Sequence, residues 1–229
     1  MQFEFVKTYI DKIDKELGGG IVKKSSVLFL GSKNSKKEII LMKILENRLK
    51  NGDAVLYITT NNKPDMINMI FANNNINIDE YEQKNMFNWI DAYSKSVGET
   101  VTDTERVVNV SNPQALNEIN ISINKSNENL WNITPELINV YDNISVSLVQ
   151  KDPVLTKRFF HHLIGNIKKN NATLFLIMDK DAQDKETVAL MSLFCDYVFE
   201  FEKYNENKKD EIKLTVNDIY TNTQKEIII

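Results

Sequence analysis

The sequence predicts an α/β fold: a mostly parallel central sheet with helices on both faces and antiparallel strands along its C-terminal edge. Three observations predict it. First, runs such as "SVLFLG", "DAVLYITT" and "ATLFLIMD" are apolar almost throughout, as strands buried on both faces must be. Second, the segments between them carry apolar residues at helical spacing. Strands separated by helices need crossovers, and crossovers make neighbouring strands parallel. Third, the tail "DYVFEFEKYNENKKDEIKLTVNDIYTNTQKEIII" has no helical period and reads as antiparallel strands.

The elements follow in order. Ser26–Gly31 is the first buried strand. The next stretch, "KKEIILMKILENRLKNG", places Ile39, Ile40, Met42, Ile44, Leu45 and Leu49 on one helical pattern. It closes on Asn51-Gly52, a helix-end and turn signal. Residues 53–60 form the second strand, and "KPDMINMIFANNN" forms a helix with Pro64 in its first turn. Residues 86–93 ("MFNWIDAY") read as a third strand. Residues 94–132 are polar and read as an extended loop, then a helix beginning near Pro113. Residues 136–145 read as a buried strand ending in an acid. "DPVLTKRFFHHLIGNIKKNN" is an amphipathic helix, residues 172–179 a buried strand and "DKETVALMSLF" a helix. A polar hairpin is expected around residues 205–210. Neither an internal repeat nor a linker rich in Pro, Gly or Ser interrupts the chain, so one domain over 1–229 is expected.

Composition narrows the function. The chain has 229 residues, 42% hydrophobic and 26% charged, enough apolar material for a sizeable core. A net charge of −4 supplies no global basic field, which counts against nucleic acid as a partner. The single cysteine, Cys195, excludes an internal disulfide and any zinc site built on several cysteines. It lies in an apolar run and reads as a small core residue. Sparse cysteine fits a reducing cytoplasm. No segment has the ~18 apolar residues a membrane span needs, and the N-terminus lacks the apolar stretch of a signal peptide.

The loop Gly31-Ser32-Lys33-Asn34-Ser35-Lys36-Lys37-Glu38 joins the first strand to the first helix. It has the length of a Walker A phosphate loop. There, backbone N–H groups wrap the phosphates, a lysine reaches them and a hydroxyl holds Mg²⁺. Lys37 is in register for the lysine. Lys36, however, stands where a glycine permits close backbone approach, and Glu38 stands where the hydroxyl belongs. A carboxylate cannot donate to a phosphate and sets negative charge beside it, although it could ligate a metal. On pattern alone an ordinary strand-to-helix turn is the default reading. Asp142 ends "LINVYD" in the Walker B pattern, in which the acid orients Mg²⁺. His161 and His162 are adjacent on a helix and face different directions, so they do not converge on a metal. Trp89 and Trp131 read as core residues.

Taken together, these features resemble the KaiC/RadA-type ATPases of the RecA superfamily, including archaeal KaiC-like and FlaH-like members. "IDKELGGGIVKKSSVLFLG" resembles the segment that leads into the family's Walker A strand, through Ile13, Asp14, Leu17, Gly18, Gly19, Gly20 and Ile21. "NGDAVLYITTNNKPDMI", "FNWIDAYS", "VSNPQALNEINISI", "INVYDNIS" and "FCDYVFEFE" resemble later segments in the family's order. The resemblance implies a RecA-like P-loop fold, with ATP or ADP and Mg²⁺ at residues 31–38 and Asp142 as the metal ligand if Mg²⁺ is bound.

The departures from the family are chemical. Asn61 and Asn62 occupy the positions where the family carries a Glu pair that supplies the base, and an amide takes no proton at neutral pH. "VNDIY" replaces a Lys-x-Arg-Gly segment that reaches a neighbouring subunit's nucleotide. With the altered loop, three roles change at once. The expectation is therefore an inactivated ATPase without catalytic residues. It would be a regulatory or scaffolding protein of an archaeal-type cytoplasm, in signalling or surface-appendage motility, binding nucleotide without hydrolysing it or not binding it at all. Self-association, another protein partner or pairing with an active paralogue is the expected assembly. Two alternatives stand beside this: an active ATPase with an atypical loop, and a DNA-associated recombinase paralogue.

Overall fold

Apolar side chains that alternate along each strand decide the layering. In the computed structural model, which describes residues 3–149, 153–205 and 208–229, two apolar clusters lie on opposite faces of one sheet. Val27 and Phe29 face one cluster, while Leu28 and Leu30 of the same strand face the other. That alternation is what a strand with period two requires when both faces are covered.

A small antiparallel pair, β1 (Phe5–Val6) and β2 (Ile21–Val22), flanks α1 (Asp11–Glu16). The chain continues through β3 (Ser26–Gly31), α2 (Lys37–Lys50), β4 (Ala54–Thr59), α3 (Pro64–Asn73) and α4 (Asp79–Gln83). Then come β5 (Phe87–Asp91), a 3-10 turn at Ser94–Val97, β6 (Val107–Asn109) and α5 (Leu116–Trp131). The second half runs β7 (Leu137–Asp142), α6 (Ile144–Leu148), α7 (Pro153–Lys169), β8 (Thr173–Asp179) and α8 (Lys185–Phe194). Strands β9 (Tyr197–Asn205), β10 (Lys208–Asp218) and β11 (Thr223–Ile228) end the chain.

The main sheet has the order β11-β10-β9-β3-β8-β7-β4-β5-β6. From β9 to β6 neighbouring strands are parallel, and β9, β10 and β11 pair antiparallel. The expected α/β fold, with a mostly parallel sheet and an antiparallel C-terminal edge, is therefore observed. Helices α2 and α3 cover one face with Ile40, Leu41, Leu45, Ile67 and Phe71. Helices α5, α7 and α8 cover the other with Ile119, Ile123, Phe160, Ile164 and Met191.

Several boundaries differ from the sequence reading. The strand expected over 136–145 stops at Asp142. The Asn143 side chain accepts a hydrogen bond from the Ser145 N–H and caps α6, a local bond that Asn offers in competition with a strand ladder. The stretch 94–132 is less loop-like than its polarity suggests, since it contains β6, and α5 starts at Leu116 instead of near Pro113. Of the polar hairpin expected around 205–210, Glu206 and Asn207 lie outside the described residues. Asp152, at the expected start of the long helix, does so too.

The register brings chemistry to one edge. Gly31 is level with Asp179, and Thr59 is level with both Asp142 and Asp91. These are the C-terminal ends of parallel strands, where open α/β sheets place their ligands. Among the described residues, no helix is long and apolar enough to cross a membrane.

Candidate functional site

Strand β3 delivers the loop 31–38 to this edge. Gly31 is needed there by close approach: a Cβ would sit 2.8 Å from the Phe201 carbonyl oxygen and would overlap Ser35 Oγ. The loop turns back through the Ser35 N–H, which donates to the Ser32 carbonyl at 3.1 Å. Lys36 then takes φ 63° and ψ 15°, the left-handed region. This is the conformation for which a glycine is ordinarily chosen, and a residue with a Cβ holds it at about 1 kcal/mol. The Lys36 carbonyl accepts from the N–H groups of Ile39 and Ile40, which starts α2. Thus the backbone makes this turn with a lysine in the left-handed position.

Lys37 points inward and its side chain is fully buried. Its ammonium lies 2.8 Å from Glu38 Oε1 and 2.7 Å from Asp179 Oδ1, and donates to the Ser32 carbonyl at 3.2 Å. Burial alone would lower its pKa, but Glu38 and Asp179 outweigh burial and hold it above the ordinary lysine value. The lysine is a permanent cation spent on two internal anions.

The second acid of the edge is different. Asp142 is buried, and its Oδ2 accepts from the Tyr57 hydroxyl at 2.6 Å. Burial pushes its pKa up to about 6; the Tyr57 hydrogen bond opposes this, Glu38 adds to it, and Lys37 offsets part. Burial, followed by the nearby Asp142 charge, holds the Tyr57 phenol well above its ordinary range. Asp179 completes the group. It accepts from Asn143 Nδ2 at 2.7 Å, and its N–H donates to Ser145 Oγ at 2.9 Å. Thr60 Oγ1 bonds both the N–H and the carbonyl of Asn143, at 2.8 and 2.9 Å, which ties the end of β4 to the end of β7.

Of the residues expected at this site, Ser32, Lys37 and Glu38 converge on one ion-pair cluster, with Asp142 close enough to feel their charges. Ser35 is buried behind the loop with its hydroxyl unpartnered. Lys33 and Asn34 are exposed. Asn61 is exposed and Asn62 half-buried. Their amides bond one another at 3.4 Å and do not reach Lys37, Asp142 or Asp179. His161 and His162 are exposed on α7, and among the described residues no group of three or more His, Cys, Asp or Glu is placed to hold a metal.

Asp179, Tyr57, Asn143 and Ser145 were not singled out from the sequence. Asp179 carried a signal, since it ends a buried strand just as Asp142 does. That it reaches Lys37 follows from β8 lying next to β3, which no sequence spacing displays.

Known proteins agree with the fold and its order of features. The sequence pattern of the family described as "ATPase: KaiC" matches residues 6–219. A UPF0273 protein of Pyrobaculum aerophilum is 32% identical over 103 residues, covering 45% of this chain and 36% of that protein. A UPF0273 protein of Aeropyrum pernix is 28% identical over 153 residues, covering 67% of this chain and 59% of that protein. The chain thus spans between 36% and 59% of the length of these curated relatives. A KaiC-like protein of Pyrococcus horikoshii superposes with a TM-score of 0.71 at 13% identity, over 98% of this chain and 94% of its own. With a family match across nearly its whole length, the chain belongs to the KaiC ATPase family.

Proposed function

We propose that this chain is a KaiC-family domain that does not hydrolyse ATP and serves as a regulatory or scaffolding protein. The observation that carries the reading is the pairing of the Lys37 ammonium with Glu38 and Asp179. A triphosphate would have to displace two carboxylates from the cation it needs. It would then lie beside Glu38, which repels it and donates nothing. Magnesium triphosphate does not fit the residues as they stand. The hydroxyl expected after the lysine is a carboxylate, and the one buried, unpartnered hydroxyl of the loop, Ser35 Oγ, sits against Gly31. Asn61 and Asn62 cannot act as a general base. Phosphoryl transfer rests on positioning and charge stabilisation acting together, so the loss of both leaves no route to turnover. The partners of such a domain would be protein: further copies of itself or an active relative.

Isothermal titration with ATP, with and without Mg²⁺, tests the central pairing. The wild-type chain is expected to bind weakly and without a gain from Mg²⁺. The double variant Lys36→Gly/Glu38→Thr restores the family's residues, and is expected to bind at least about tenfold more tightly, a change of ~1.4 kcal/mol. Tight, Mg²⁺-dependent binding by the wild type, abolished in Lys37→Ala, would overturn the reading.

A further inference from the structure

We infer that the outer face of α5 and α7 binds a second copy of this chain, α5 of each copy lying over α7 of the other about a twofold axis parallel to the helices. The inference rests on the reading that the partners of this chain are protein, and not on the state of the phosphate loop. Helix α5 leads from β6 to β7, and α7 leads from the end of β7 to β8. These strands are parallel within the sheet, so the two helices run in the same direction in one outer layer. A groove separates them, with Leu155 and Phe159 in one half and Trp131 in the other.

The charges of the groove are sorted by helix. Its acids, Glu118 and Glu128, come from α5, and its bases, Arg158, His162 and Lys169, come from α7. Glu118 accepts from Ser111. Among the described residues, Glu128, Arg158 and Lys169 enter no ion pair. Glu128 and Lys169 border the same half of the groove, and Glu118 and Arg158 the other half. A twofold axis along the helices sets α5 over the second copy's α7 at the same height. It therefore brings Glu128 to the second copy's Lys169 and Glu118 to its Arg158, each contact made twice. An axis across the helices would stack α5 on α5 and set acid against acid, so charge selects the first arrangement.

Gly165 supplies a second, independent observation. It is exposed in the middle of α7, and a Cβ there would meet nothing within 4 Å. A glycine inside a helix costs about 1 kcal/mol against alanine, and nothing in the chain's own packing asks for it. Seven residues beyond Arg158 and four before Lys169, it shares their outward face. On α5 the matching outward position is Ile121, 67% exposed and seven residues before Glu128. Asn166 borders the groove together with both Asn120 and Asn124, so Gly165 and Ile121 are level. The same twofold thus lays Ile121 over the second copy's Gly165, where the missing side chain leaves room. Helices of 16 and 17 residues present a face of on the order of 500 Å² per copy. That is the lower limit for a specific interface, so the dimer is expected to be reversible.

Sedimentation equilibrium of the full chain over a range of concentrations tests this. The mass should rise with concentration from 26.5 kDa toward twice that value. Glu128→Lys and Lys169→Glu each set two like-charge contacts across the axis, and each should weaken dimerisation at least about tenfold. Mixed together, the two variants form a heterodimer in which both contacts join opposite charges, so association should return. Gly165→Leu should raise the melting temperature through its better helix propensity and yet abolish the dimer. The inference is overturned if the wild type stays monomeric, if Glu128→Lys or Gly165→Leu associates as the wild type does, or if the mixed variants remain apart. None of these substitutions touches the loop 31–38, so phosphate release from MgATP fails or succeeds separately.

Discussion

Lys37 and Asp142 show how two residues of one motif pair are put to different uses. Lys37 is charged and paired. Asp142 is buried, its charge stabilised by the Tyr57 hydroxyl and in part by the Lys37 ammonium, and is held part of the way to neutrality. Its ordinary pKa of 3.8 rises to about 6 in the folded chain. Between those values the folded chain keeps a proton that the unfolded chain has released. Its contribution to stability is therefore full below the lower value and is lost as pH rises through the upper one. Asp53 adds a second contribution of the same sign: burial raises it to about 6 even though the Arg48 guanidinium lies 2.6 Å away. Asp142→Asn, which keeps an acceptor for Tyr57, is expected to stabilise the chain at pH 7 by on the order of 1 kcal/mol. It should also flatten the fall in melting temperature between about pH 4.5 and 6.5, roughly by half, with Asp53 supplying the remainder. Thermal melts of the two proteins across that range check this. An unchanged slope would mean that Asp142 is ionised throughout.

At the scale of elements, the turn from β3 into α2 carries two opposed requirements. Gly31→Ala would press a methyl against the Phe201 carbonyl and Ser35. Because the first of these is backbone, the loop must shift, and a loss of about 2 kcal/mol is expected in denaturant unfolding. Lys36→Gly is expected to do the reverse and gain ~0.5–1 kcal/mol by relieving the left-handed backbone. If Lys36→Gly destabilises instead, the Lys36 side chain contributes more than its backbone costs. These elements also show what the sequence displays. Strands β3, β4, β7 and β8 are legible because burial on both faces makes them continuously apolar. Helices α2 and α7 are legible because their cores recur at helical spacing. The short pieces β1, β2, α4 and β6 leave too few residues to show a period. Asn143 ended a strand early through one side-chain bond. The loop from Gly31 to Glu38 was legible as a strand-to-helix connection, and as the family's phosphate-loop position only through the neighbouring segments that resemble the family. Its ion pairs were not, because Asp179 meets Lys37 only through the strand order. Trp131, read from the sequence as core, packs against the apolar cluster on the α5–α7 side while staying half-buried at the end of its helix.

The whole molecule is a sheet whose centre is much better protected than its edges. Strands β3, β8, β7 and β4 are paired on both sides and covered on both faces. Strand β6 is a three-residue edge and β11 closes the other side. Amide hydrogen exchange should therefore be slowest in the four central strands, approaching the global unfolding limit, and fastest in β6 and the outer half of the β10–β11 hairpin. Uniform exchange across the sheet would contradict that layering. The rigid centre is also what holds Lys37, Glu38, Asp142 and Asp179 together, so the cluster is expected to persist in solution, free of nucleotide. On the function proposed above this cluster leaves the chain without ATP hydrolysis, and multiple-turnover release of phosphate from MgATP tests that most directly. The wild-type chain is expected to release no phosphate above a protein-free control. Turnover by the wild type that is lost in both Lys37→Ala and Asp142→Asn would contradict the account.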